Sequence, residues 1–227
     1  MSHKPNANLL LVEGKDELRV IPHLVEKNGV TWSTGPGQFC VEIIDLEGVE
    51  NVLDPVTLSA YAKRSELERL GILIDANGDT LGRWEEVRRA LVSAKLCDDG
   101  DVPITLPIEG LILALPRLVV GVWLMPNNSD CGMLETFLQH LIRDSSKRLW
   151  EYTLECCEEA QRRGGRYKHP QHLDKARIHT WLAWQDDPGR QLHQALIYEF
   201  LDPKCAYATA FVDWFCKLYA LPRSSPT

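Results

Sequence analysis

Two short apolar runs that each stop at an acidic turn constrain this chain more than any other feature: LLLVEGKDE at 9–17 and GILIDANGD at 71–79. A run of Leu and Val that ends in Glu13-Gly14 reads as a buried strand, and the charged residues then fall at its carboxyl end, where a helix begins. In open α/β sheets that edge is where ligands bind. Two such strands side by side place Glu13 and Asp75 on one rim, and carboxylates gathered at a rim suit a hard divalent cation such as Mg2+. The pair points to metal-dependent phosphoryl chemistry.

The rest of the first half repeats that alternation. An amphipathic helix over 16–28, with Leu18, Ile21, Leu24 and Val25 on one side, closes at Asn28-Gly29. A second strand is expected over 39–45, a helical segment over about 51–70, a third strand over 72–75, and a helix over 80–96 with Trp84, Val87, Ala90 and Leu91 inward. Strand and helix in strict alternation predict an α/β fold on a mostly parallel sheet of four or five strands, with right-handed crossovers. Two apolar runs around Pro116-Arg117, 111–115 and 118–125, suggest a hairpin or crossed pair at the sheet's edge. Beyond Pro126 the pattern is helical: 133–144, 147–162, 171–184, 190–200 and 206–219. The expected division is an α/β core over 1–145 and a helical C-terminal extension over 146–227 packed on it, with residues 1–7 as a frayed tail.

Composition narrows the function classes. No apolar run reaches the roughly 18–20 residues that cross a bilayer, and the polar start MSHKPNAN lacks a signal peptide's apolar stretch, so a cytoplasmic protein without membrane attachment is expected. The seven cysteines include no CxxC pair, which speaks for reduced thiols rather than a disulfide framework or zinc finger. A net charge of -7 opposes indiscriminate nucleic-acid binding. Basic residues are nonetheless concentrated at Arg162, Arg163, Arg166 and Lys168, around Gly164-Gly165. The histidines show no HxxxH or HExxH spacing, and His169 and His172 at i,i+3 are weak as a metal pair. No GxxxxGK[ST] is present, so the chain is not itself a P-loop ATPase.

The motifs LLVEGKDE, LIDANGD and LMPNNSDCGMLE, in that order, resemble the TOPRIM domain of topoisomerases, bacterial primases and the overcoming-lysogenization-defect nucleases. The likeness covers about residues 8–145. The wording VEGKD, DANGD with Arg83-Trp84, GVWLMP, GMLE and HTWLAWQDDPG is similar, over nearly the full length, to a bacterial TOPRIM-like family of uncharacterised function. The resemblance implies a Rossmann-like fold, Mg2+ or Mn2+ as cofactor, and Glu13 as general acid/base or metal ligand; the plainer alternative is a carboxylate favouring the next helix's N-terminus. Asp16 faces the same pocket or caps that helix, and Lys15 meets a phosphate or solvent.

Asp75 corresponds to the first residue of the family's DxD. Asn77 stands at the second, a departure that replaces a carboxylate with a neutral oxygen, and Asp79 either compensates or caps the following helix. Asp130 and Glu135 fall where the family carries later acidic residues, behind the turn-forming Pro126-Asn127-Asn128-Ser129. Lys175, with His179 one turn later, is a candidate for the lysine that assists catalysis in the nucleases, against ordinary helix packing. The candidate metal set is therefore Glu13, Asp75, Asn77, Asp79 and Glu135. Glu13 and Lys175 are the candidate catalytic pair, and Lys15, Arg162, Arg163, Arg166 and Lys168 the candidate nucleic-acid contacts.

Three function classes follow. The first is a metal-dependent nuclease acting on DNA or RNA, of the bacterial-defence kind. The second is a catalytically weak subunit that binds a partner such as an ATPase. The third, a primase or topoisomerase, is disfavoured by the length of 227 residues, the absence of zinc-ribbon cysteines and the lack of a clear nucleophilic tyrosine context.

Overall fold

A computed structural model describes residues 6–224. In chain order the elements are β1 (Asn8–Val12), α1 (Lys15–Lys27), β2 (Ser33–Gly35), β3 (Gln38–Phe39), β4 (Glu42–Asp45), α2 (Val49–Val52), α3 (Pro55–Ala62), β5 (Arg69–Asp75), α4 (Thr80–Ser93), β6 (Leu111–Ala114), β7 (Val119–Met125), α5 (Leu134–Gln139), α6 (Lys147–Arg162), α7 (His172–Ala183), α8 (Leu192–Ile197) and α9 (Ala206–Tyr219). The expected frayed tail lies, for residues 1–5, outside the described residues; Asn6 is tied down by its side-chain amide, which donates to the Phe39 carbonyl at 2.8 Å.

The main sheet has five strands in the order β4-β1-β5-β7-β6. All neighbours are parallel except β6, which runs antiparallel to β7. The fold is α/β, with helices flanking a mostly parallel sheet and a helical C-terminal half. The run at 111–125 is a hairpin whose second strand lies inside the sheet, between β5 and β6.

The period-two geometry of a strand explains why the apolar runs are unbroken. Leu10 and Val12 face one core while Leu9 and Leu11 face the other. The same division continues in β7, where Trp123 and Met125 point to the first side and Val120, Val122 and Leu124 to the second. The second core is covered by α2, α3 and α4. The first is covered by α1, α5, α7, α8 and α9, with Phe137, Trp181, Phe211, Trp214 and Phe215 filling it. Gly71 and Gly121 face α9: a Cβ at Gly121 would collide with Leu218, and one at Gly71 with the Tyr219 hydroxyl and Leu10. That hydroxyl donates to the Leu9 carbonyl at 2.9 Å, so α9 is bonded to the central strands.

Several element boundaries differ from the sequence reading. The helical segment over 51–70 is two short helices and a turn. Asp54 caps α3, accepting from the Thr57 amide at 2.8 Å, and Pro55 at the first helical position cannot continue the preceding helix. Residues 69 and 70 belong to β5, where they pair with Asn8 and Leu9. The strand over 39–45 is divided: Phe39 pairs in the β2-β3 ribbon, and only 42–45 joins the main sheet. The helix over 80–96 stops at Ser93, before Lys95 turns left-handed.

Candidate active site

β1 and β5 are adjacent and parallel, so their carboxyl ends bring Glu13 and Asp75 together. Glu13 Oε1 accepts from the Asp75 main-chain amide at 2.7 Å. Asp75 in turn uses Oδ1 to accept from the Leu134 amide, at 3.0 Å, at the start of α5. Two further carboxylates close on the same point: Glu17, from the first turn of α1, and Glu135, from the first turn of α5. Asp75, Glu17 and Glu135 are all buried.

Burial raises the Asp75 pKa well above its ordinary value, and the charges of Glu13, Glu17 and Glu135 raise it further. Glu17 is pushed up to about 7, first by desolvation and then by Glu13 and Glu135. Glu13 is raised by burial, against the opposing pull of the Asp75 amide and the Arg83 guanidinium. Asp75, Glu17 and Glu13 are thus all held above the ordinary carboxylate range, the signature of carboxylates packed without sufficient compensating charge.

Lys175, on the first turn of α7, supplies part of that compensation: its Nζ lies 3.1 Å from Glu135 Oε1. Burial would depress the ammonium, but Glu135, with Asp75 and Asp16 behind it, more than offsets this and holds its pKa above the ordinary value. The start of α7 is fixed to α5 by Asp174, which accepts from Thr136 Oγ1 at 2.7 Å and, through its carbonyl, from the Gln139 amide at 3.0 Å.

The other predicted site residues fall around this centre in different roles. Asn77 has a left-handed backbone, φ 56°, and forms a two-way main-chain bridge with Gly132. The bridge ties the turn after β5 to the turn before α5. Asp79 caps α4 by accepting from the Gly82 amide at 2.8 Å. Asp130 is exposed and held by the Asn127 side chain at 2.7 Å. Lys15 and His179 are exposed. Arg162 and Arg163 end α6 and both pair with Glu159 at 2.5 Å. Arg166 and Lys168 are exposed in the segment leading to α7. That segment ends where Gln171 packs against Gly78 of the DANGD turn, so it arrives beside the acidic rim. His169 and His172 stack edge to face, 5.1 Å between centroids.

Sequence reasoning missed Glu17 and Arg83. The signal for Glu17 was its place four residues after Glu13, one helical turn away from a glycine N-cap. Its Oε2 sits 3.3 Å from where a Gly14 side chain would begin, so the Glu17 carboxylate folds back over the glycine turn.

A family profile described as a protein of unknown function (DUF3226) matches residues 7–220. The chain belongs to the DUF3226 family. No curated protein and no solved structure matches it. The DUF3226 match includes all four clustered carboxylates, Lys175 and α9.

Among the described residues of this DUF3226 protein, no group of three or more His, Cys, Asp and Glu side chains is arranged as a ready metal site. The chemistry of the donors nonetheless fits a hard cation. One oxygen each of Glu13 and Asp75 is held by a main-chain amide, which orients the carboxylate and leaves its second oxygen for another partner. Among the described residues no helix is long and apolar enough to cross a membrane.

Proposed function

We propose that this protein is a TOPRIM-like, Mg2+- or Mn2+-dependent phosphodiesterase acting on nucleic acid, cytoplasmic, and weak as an isolated chain. The observation that carries this reading is the convergence of Glu13, Glu17, Asp75 and Glu135 at the carboxyl rim of a parallel sheet, beside Lys175. Such a cluster is electrostatically unfavourable by itself and gains most from a divalent cation. Glu13 and Asp75 would hold the ion, with Glu17 beside them. The bound ion would polarise a phosphoryl oxygen.

The chain's own groups supply the remainder. Glu13, fixed at the rim beside Asp75, is placed to take a proton from an attacking water. Lys175 places a positive charge next to Glu135, where it can stabilise charge on a phosphoryl oxygen. The main-chain amides of Asp75 and Leu134 fix the two central carboxylates before any ligand arrives. Arg166 and Lys168, exposed in the segment that leads to Gln171, suit a nucleic-acid backbone.

Weak activity follows from two features: Asn77 contributes one charge less than an aspartate, and the net charge of -7 repels polyphosphate. The use of Asp79 as a helix cap rather than a free carboxylate favours a second reading, a catalytically weak subunit that works with a partner such as an ATPase.

Calorimetry with Mn2+ and plasmid cleavage in Mn2+, on the wild type and Asp75→Ala, test the proposal. The wild type should bind the ion and nick the plasmid, and Asp75→Ala should do neither. Cleavage that persists in Asp75→Ala would assign the activity to another site or a contaminant. Absence of both binding and cleavage in the wild type would leave the subunit reading.

A further inference from the structure

A cleft of about 450 Å³ lies between α2 and the start of α3 on one side and α4 on the other, walled by Val49, Leu53, Pro55 and Ala90. Its volume is within the range of about 300–1,000 Å³ common for small-molecule sites. The cleft starts at the acidic rim. The Gly48 amide, at the head of α2, donates to the Glu13 carbonyl at 2.9 Å, and the charges of Arg83 and Glu50, both in the cleft lining, act directly on the Glu13 carboxyl.

The polar groups of the cleft are unevenly satisfied. The Arg83 side chain is only 15% exposed; its Nη1 holds Glu86 at 2.6 Å, while its Nε is buried with no hydrogen-bond partner. Arg89, one and a half turns along α4, forms no ion pair among the described residues, and only its Nε is engaged, with the Glu85 carbonyl at 3.3 Å. Both guanidiniums line this one space, and Arg89 keeps its terminal nitrogens without a partner among the described residues. The opposing charges, Glu50 and Glu86, sit at the solvent edge, and a half-exposed partner such as Glu86 is exchanged at little cost. Apolar walls beside guanidiniums match a ligand with both a flat apolar ring and a phosphate, since planar donors grip phosphate in pairs and stack on rings.

We infer that this cleft binds one nucleotide unit of the substrate, its phosphate between Arg83 and Arg89 and its base against Val49, Leu53 and Ala90. The inference rests on the phosphodiesterase reading and specifies it: the adjoining unit of the strand would be held here while the scissile phosphate lies at Glu13 and Asp75.

The probe is AMP, titrated calorimetrically in EDTA so that metal-held phosphate plays no part, with inorganic phosphate as the comparison. AMP should bind the wild type at least tenfold more tightly than phosphate does. Arg89→Glu, an exposed position, should weaken AMP at least tenfold, and Ser93→Trp, which fills the cleft's far end without changing charge, should weaken it similarly. Thermal unfolding of both variants should match the wild type. Mn2+ titrations of the same proteins separate the two ideas. AMP that fails to bind, binds only with Mn2+, binds no better than phosphate, or is indifferent to both substitutions would overturn the nucleotide cleft, even where Mn2+ still binds. Loss of Mn2+ binding with AMP binding intact would instead overturn the metal reading and leave the cleft.

Discussion

At Asp75 a single buried carboxyl group meets the charges of Glu13, Glu17 and Glu135, and it accepts a hydrogen bond from the Leu134 amide. Two residues on, Asn77 holds a left-handed backbone that asparagine and aspartate tolerate better than other side chains do. Asn77→Asp should therefore fold like the wild type and tighten Mn2+ binding, a direction that calorimetry reads directly; weaker binding would mean that residue 77 stays outside the ion's shell. Asp79 belongs to a different argument. Its carboxylate caps α4, so Asp79→Ala should cost about 1 kcal/mol in denaturant unfolding, with Mn2+ affinity little changed. A large loss of Mn2+ affinity without loss of stability would return Asp79 to the metal set.

At the scale of elements, α9 decides how the sheet is covered. Its Phe211, Trp214, Phe215, Leu218 and Tyr219 are buried on the strands, and the two strand glycines exist where it lies closest. Tyr219→Phe removes the bond to Leu9 and should destabilise the protein by about 1–2 kcal/mol, because a buried carbonyl then lacks that partner. Removing 206–227 exposes the face that α9 covers and should abolish cooperative unfolding, seen as a loss of near-ultraviolet circular dichroism and of a sharp thermal transition. A truncated chain that still melts sharply would show that the α/β core stands alone.

For the whole molecule, the acidic centre couples stability to pH and to cations. Glu17 has a pKa of about 7 in the folded chain against an ordinary value of 4.5, so the folded state keeps a proton that the unfolded state releases between those values. Its contribution is complete below pH 4.5 and declines as pH rises through about 7; Asp75 and Glu13, also raised, act in the same direction. For Glu17 alone the linked energy is at most about 3 kcal/mol. In EDTA the thermal midpoint should be higher near pH 5 than near pH 8, and Mn2+ should raise it chiefly at pH 8. A midpoint that climbs from pH 5 to pH 8 in EDTA would contradict a proton-retaining cluster.

The apolar runs ending in Glu13 and Asp75 were sufficient to place two parallel strands and two carboxylates on one rim, because a run buried on both faces and a turn at its carboxyl end depend only on local sequence. Glu135 and Lys175 were legible as candidates, but their 3.1 Å pairing depends on how α5 and α7 pack, through Asp174, Thr136 and Gln139. Glu17 was visible beside Glu13 in sequence, yet its membership of the cluster depends on how α1 and α5 pack against the rim beside Asp75. Asp79 could be read as cap or ligand until the Gly82 amide was found on it. The cleft along α4 had no sequence signature at all: its walls come from 49–55 and its guanidiniums from 83–89, and only the layering of α2 and α3 beside α4 brings them together. Local patterning thus determined strands, turns and the first pair of acids. Which charges share one space was decided by packing between elements distant in sequence, where burial and mutual repulsion act only once the chain has folded.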